Sequence, residues 1–218
     1  MKSIAMMLIA GTAATATAGT FSETYSGDFE LTTTNWNETF DVVGFDSQNG
    51  TRVLKSVEIT LNGDVVGNAQ AESLDMGATL IELSLQATLT LSLTAAGTEL
   101  AEVIPVVNES FNASAFDGMI DFGGTSGVSF LELSGSASES ESINTQSVLD
   151  EFIDVASVSL DADATGSSFG SGAGNLITQF ATEAGLDWEI TYVYNVIPAP
   201  GALALLGLGG LVAGRRRG

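Results

Sequence analysis

Two short stretches place carboxylates at a spacing that could do chemistry. Asp161 and Asp163 lie in Asp161-Ala162-Asp163-Ala164-Thr165-Gly166, and Glu139 and Glu141 in Ser138-Glu139-Ser140-Glu141. Paired carboxylates can act as the acid and base of a glycosidase. On a strand, residues two apart share one face, and with 27 acidic residues in the chain such pairs arise by chance. The Asp161 stretch also offers alternating oxygen ligands followed by glycine, as a calcium loop does. It lacks the later Glu of an EF-hand and no helical pattern precedes it. A solvated turn is the plainer expectation, with calcium at Asp161 and Asp163 the alternative. Trp36, Trp188 and Tyr25 could stack on sugar rings, although such rings also pack in cores and at sheet edges. Asn37, Asn49, Asn108 and Asn112 each begin an Asn-x-Ser/Thr sequence, a glycosylation pattern that richness in Asn, Ser and Thr accounts for.

What is missing narrows the chemistry further. The chain has no His and no Cys. Ser-His-Asp and Cys-His nucleophile systems are therefore excluded, together with the commonest general base and typical zinc or copper sites. No disulfide can staple the fold, so the core must hold it alone. No catalytic residue is expected, and the protein reads as non-enzymatic.

Charge is distributed unevenly. Between Gly19 and Ile197 the basic residues are Arg52 and Lys55, against all 27 acidic ones, a net charge of −25. Like charge at this density repels nucleic acid and anionic lipid and favours cations. It also suits solubility in a salty medium, where screening acts within about 10 Å.

The elements that must position these residues read as β throughout. Phe29 to Thr33 predicts a first short strand. Trp36, Phe40, Val42 and Val43 predict a second, and Val57, Ile59 and Leu61 alternate with polar residues. Asn62-Gly63-Asp64 has the chemistry of a hairpin turn. The strongest signal runs from Ile81 to Leu93: positions 81, 83, 85, 87, 89, 91 and 93 are apolar and the positions between them polar. A period of two means one buried and one wet face, in one long bent strand or two strands with a bulge, closed by Ala95-Ala96-Gly97. Glu102 to Val107 predicts a strand that Pro105 places at an edge or bulge. Met119 to Phe122 and Val128 to Leu133 predict two more. Ser134 to Ser142 is a surface loop or the wet side of a strand. Val148, Leu149, Phe152 and Ile153 have helical spacing, and Ser147 to Asp150 resembles a capping box, so one short helix is expected. Val158 and Leu160 resume the strand pattern, Gly166 to Gly174 predicts a glycine/serine turn, and Ile190, Tyr192 and Tyr194 end the domain as a strand. The expected fold is all-β, a two-sheet antiparallel β-sandwich with one short helix. A β-solenoid is the alternative, without a repeat period to support it.

The order of these segments resembles a known family. A Phe45-Asp46…Gly50-Thr51 turn is followed by SVEITLNGDVVGNAQAES and the long alternating strand. Asp121-Phe122-Gly123-Gly124-Thr125-Ser126-Gly127, an acidic-serine segment, GSGAGNL at 170–176 and a final ITYVY come later. Together they resemble the choice-of-anchor E domain of bacterial exported proteins, over essentially all of residues 19–196. The resemblance implies export and a terminal anchoring signal. It brings no activity, substrate or catalytic residue.

Both ends of the sequence carry targeting patterns. Met1-Lys2-Ser3 is a short basic start, Ile4 to Gly11 an apolar run, and Ala14-Thr15-Ala16 and Ala16-Thr17-Ala18 are small-x-small cleavage sites. Residues 1–18 therefore read as a secretory signal peptide cleaved after Ala18. At the other end, residues 197–218 contain Pro198-Ala199-Pro200-Gly201, an apolar run to Gly214, and Arg215-Arg216-Arg217. As a helix the run would reach about 21 Å at 1.5 Å per residue, short of a roughly 30 Å hydrocarbon core. Its glycines weaken it further, and the arginines would be held on the cytoplasmic side during export. A marginal apolar helix with a basic stop suits a segment that is recognised and removed; an ordinary anchor or a buried helix is the competing use. The pattern resembles the PEP-CTERM sorting signal of Gram-negative bacteria, with Ala199 where the name-giving motif has Glu. That resemblance implies transient anchoring in the inner membrane, handling by an exosortase-type transpeptidase, and an exopolysaccharide setting. The expected role is a structural or adhesive component of the cell surface or extracellular matrix, with a carbohydrate-binding module using Trp36 and Trp188 as the alternative.

Overall fold

Alternation of apolar and polar side chains becomes strand almost everywhere in the computed structural model, which describes residues 19–197. The elements are β1 (Thr20–Thr33), β2 (Trp36–Val43), β3 (Arg52–Ser73), β4 (Thr79–Leu93), β5 (Thr98–Val103), β6 (Val106–Ala113), β7 (Gly127–Ile143), α1 (Gln146–Leu149), β8 (Ser157–Gly166), β9 (Phe169–Ser171) and β10 (Leu176–Val196). The described residues are nearly all-β, with one short helix and two antiparallel sheets. One sheet has the order β1-β10-β3-β7. The other has the order β2-β8-β4-β5, with β6 and β9 also pairing on β4.

The long alternating run forms one strand, β4, and its seven apolar positions from Ile81 to Leu93 are all buried. Its partners change along its length. On one side it pairs with β6 over Thr79–Gln86 and with β5 over Leu89–Leu93. On the other it pairs with β9 over Glu82–Ser84 and with β8 over Ala87–Leu93. The β5-to-β6 switch falls at Ile104-Pro105, because proline has no N–H to give to a ladder. Ala95-Ala96-Gly97 closes the β4–β5 hairpin, with the Gly97 N–H donating to the Leu93 carbonyl.

The inner faces share one core. Val57, Ile59, Leu61 and Val65 of β3 and Leu186, Trp188, Ile190 and Tyr192 of β10 belong to the same buried cluster as Leu85, Leu89 and Leu91 of β4 and Leu160 of β8. Burying one such aliphatic side chain contributes about 1.5–3 kcal/mol, and a core built this way needs no disulfide. A smaller cluster of Ala69, Ala71, Ile81, Leu83 and Ala113 continues it toward the far end.

Several expectations are corrected. Asn62-Gly63-Asp64 is no turn; it lies inside β3, paired with Asp187-Leu186-Gly185 on one side and Ser138-Ala137-Ser136 on the other. A Cβ on Gly63 would stand 2.5 Å from Leu89 Cδ1, so glycine is used there for close approach of the two layers, not for positive φ. Met119 to Phe122 forms no strand. Met119 and Ile120 are exposed in a loop held by the buried Glu72 carboxylate, which accepts from the Phe122 N–H at 2.9 Å and the Ser126 hydroxyl at 2.6 Å. Helix α1 starts from Thr145 without a side-chain cap, so Ser147 to Asp150 is no capping box. The glycine/serine stretch after Gly166 contains β9, and the first strand begins at Thr20. Among the described residues, no helix is long and apolar enough to cross a membrane. The cleavage residues Ala16 and Ala18, and the tail residues Pro198, Ala199, Pro200, Gly201 and Arg215 to Arg217, lie outside the described residues.

Candidate functional site

Asp161 and Asp163 stand on β8, in mid-sheet between β2 and β4, and not in a loop. Strand alternation buries Ala162 and Ala164 and turns both aspartates to the outer face. Each carboxylate is taken by a different hydroxyl: Thr39 Oγ1 donates to Asp161 Oδ1 at 2.6 Å, and Thr165 Oγ1 to Asp163 Oδ1 at 2.9 Å. The pair therefore lies on a hydrogen-bonded strand, and not in the loop that the calcium expectation assumed. Among the described residues, no group of three or more Asp or Glu is placed to hold a metal ion.

The Ser138 to Glu141 stretch is divided by the pleat of β7. Ser140 meets Thr60 at 2.9 Å, and Ser138 lies opposite Asn62 on the same outer face. Glu139 and Glu141 fall on the other face, opposite Leu61 and Ile59. There they line a cleft of about 500 Å³ with Glu99 and Glu102 of β5. β5 and β7 end their respective sheets. Inward-pointing charges at such edges block pairing with another chain, which explains this pair without a substrate.

Of the two tryptophans, Trp188 is buried and Trp36 is partly buried. Trp188 is 4% exposed, with its ring 4.6 Å from that of Phe40. Trp36 packs on the core beside Phe29, its Nε1 donating to the Ala184 carbonyl at 3.3 Å. Tyr25 is buried against Tyr192, and burial, then the Glu23 charge, pushes its phenol up from its ordinary value. Inward alternation on β1 and β10 puts Tyr25 and Trp188 in the core, and on β2 it packs the partly buried Trp36 against it. Residue type alone cannot reveal that.

Two arrangements were not foreseen. Arg52 is buried near the start of β3, its guanidinium paired with Glu23 and lying 4.7 Å from the Phe45 ring centre and 4.0 Å from that of Tyr194. Its Nε has no partner. The second is a groove of about 390 Å³ on the outer face of β4, lined by Glu82, Ser84, Asn108, Ser110, Phe169 and Ser171. Phe169 is 55% exposed and is the only aromatic residue in the exposed class among the described residues. The available signal was an aromatic in Ser167-Ser168-Phe169-Gly170-Ser171 with no apolar neighbour at two-residue spacing.

No family model matches the chain, and no curated protein is significantly similar to it. Among solved structures it is similar to chains of infectious bursal disease virus. The VP2 subviral particle aligns at 13% identity over 84% of this chain and 38% of that one, with a TM-score of 0.23. T=1 particles derived from the virus align at 13% identity over 88% and 43%, with a TM-score of 0.20. The chain spans about two fifths of the length of those viral chains, and superposition this poor carries no argument about role.

Proposed function

We propose that this chain is an exported, non-enzymatic β-sandwich displayed at the cell surface or in the extracellular matrix. It is delivered by the leader at 1–18 and processed at its tail by an exosortase-type transpeptidase, and its role is structural or adhesive within exopolysaccharide. The observation that carries the reading is the order Pro198-Ala199-Pro200-Gly201, apolar run, Arg215-Arg216-Arg217, set directly after the last strand. Ile197, the last described residue, still donates its N–H to the Thr51 carbonyl at 2.7 Å. Both described ends lie at one pole, since the Val196 N–H donates to the Gly19 carbonyl. That arrangement supports tethering by one pole. β3 runs 22 residues from Arg52 near that pole, about 70 Å at 3.3 Å per residue, and would carry the opposite loops outward.

Intact-mass spectrometry of the protein recovered from its own cells tests the proposal. The expected species lacks residues 1–18 and the residues after about Pro200. A mature species that retains Arg215 to Arg217 overturns tail processing. Deleting the three arginines is expected to leave the protein mis-sorted.

A further inference from the structure

The outer face of β4 is polar along most of its length, yet one aromatic ring stands on it. The register sets two rows across three strands: Asn108, Ser84 and Phe169 in one, and Ser110, Glu82 and Ser171 in the next. Neighbouring strands lie about 4.8 Å apart, so each row spans roughly the width of one or two sugar rings. Gly170 fixes which way the ring points. It pairs with Leu83 on the inner side, and a Cβ there would lie 2.8 Å from Leu83 Cδ2 and 2.7 Å from Thr178 Cγ2. Gly170 therefore fills the inward position, and Phe169 and Ser171 are turned outward. Among the described residues, no side-chain hydrogen bond occupies Glu82, Asn108, Ser110 or Ser171.

We propose that the Phe169 groove is a binding site for a neutral polysaccharide. A pyranose presents C–H groups on its face and hydroxyls around its rim. An exposed ring takes the face, while an amide, two hydroxyls and a carboxylate supply both donors and acceptors for the rim. An open groove with a few convergent polar groups is the form such a site takes. Charge selects the class of glycan. The net charge of −25 over the described domain and Glu82 within the groove repel uronic-acid or sulfated polymers. This deepens the exopolysaccharide reading but rests on none of the tail residues, so failure here and failure of tail processing are separately visible.

Affinity electrophoresis of the full chain, held in a non-glycosidic detergent, tests it. Native gels contain dextran, laminarin, galactomannan or xyloglucan, with alginate as the anionic probe. The expected result is retardation in at least one neutral gel and none in alginate. Phe169→Ala is expected to weaken that retardation at least tenfold, Asn108→Ala to weaken it severalfold, and Phe169→Trp to keep it. Phe169 is more than half exposed, so the melting temperature of Phe169→Ala is expected to stay near that of the parent. No retardation in any neutral gel overturns the proposal. So does retardation that survives both Phe169→Ala and Asn108→Ala, or equal retardation in alginate.

Discussion

Replacing Arg52 by Met removes the buried cation at the pole where both described ends meet while keeping most of the apolar stem. Arg52 is 8% exposed and its partner Glu23 27%. Breaking a buried pair from one side costs about 3–5 kcal/mol because the remaining charge is stranded. Glu23 keeps some access to water, so the lower end applies. The two ring contacts, at 4.7 and 4.0 Å, contribute about 0.5–2 kcal/mol each, partly through the same desolvated charge. Against this, the buried Nε of Arg52 has no acceptor, and removing it returns about 1 kcal/mol. The net expectation is roughly 3 kcal/mol. For a domain of this size that is a fall in Tm of about 6–12 °C, with the urea m-value unchanged. The pair is little screened, so the loss should persist in 1 M sodium chloride. Urea melts of the parent, Arg52→Met, Glu23→Gln and the double variant form a cycle. In the Glu23→Gln background, Arg52→Met is expected to cost at least 1 kcal/mol less. A loss within about 1 kcal/mol of the parent, or strict additivity, would refute the reasoning.

Asp187 lies opposite Asp28 on the outer face of the β1–β10 pair. Burial, then the charges of Asp28 and Asp64, raises its carboxyl above the ordinary value. A folded-state pKa raised above the unfolded value contributes stability at pH below the unfolded pKa, and that contribution is lost as pH rises through the folded one. Asp187→Asn is therefore expected to stabilise the fold at pH 7, by less than about 1 kcal/mol because the group is exposed and screened. The gain should vanish near pH 3, and an equal gain at both pH values counts against the assignment. For cations, melts in millimolar calcium and in sodium chloride of matched ionic strength are expected to coincide, since general screening ignores the identity of the salt. A rise with calcium alone, removed by Asp161→Asn with Asp163→Asn, would establish a calcium site there.

The β class, the buried face of Ile81 to Leu93 and the β4–β5 turn were legible in the sequence because they depend on local rules. A period of two exposes one face, and Ala-Ala-Gly after an apolar run breaks it. The absence of His and Cys removed whole reaction classes by composition alone. Tertiary structure decided what depends on a partner distant in sequence. Asn62-Gly63-Asp64 has the chemistry of a turn, but Leu89, packed 2.5 Å from where a Gly63 Cβ would lie, makes it the thin point of a long strand. Met119 to Phe122 looks like a strand, but the buried Glu72 carboxylate from β3 claims its backbone and holds it as a loop. Trp188 and Phe169 are both aromatic residues on strands. Register turns Trp188 into the core between Gly27 and Leu61 and leaves Phe169 facing water, so the ring available to a ligand was the one in the most turn-like stretch. Side-chain direction follows from pairing, and pairing joins residues up to 175 positions apart, as in Thr20 with Asn195, which no local pattern encodes.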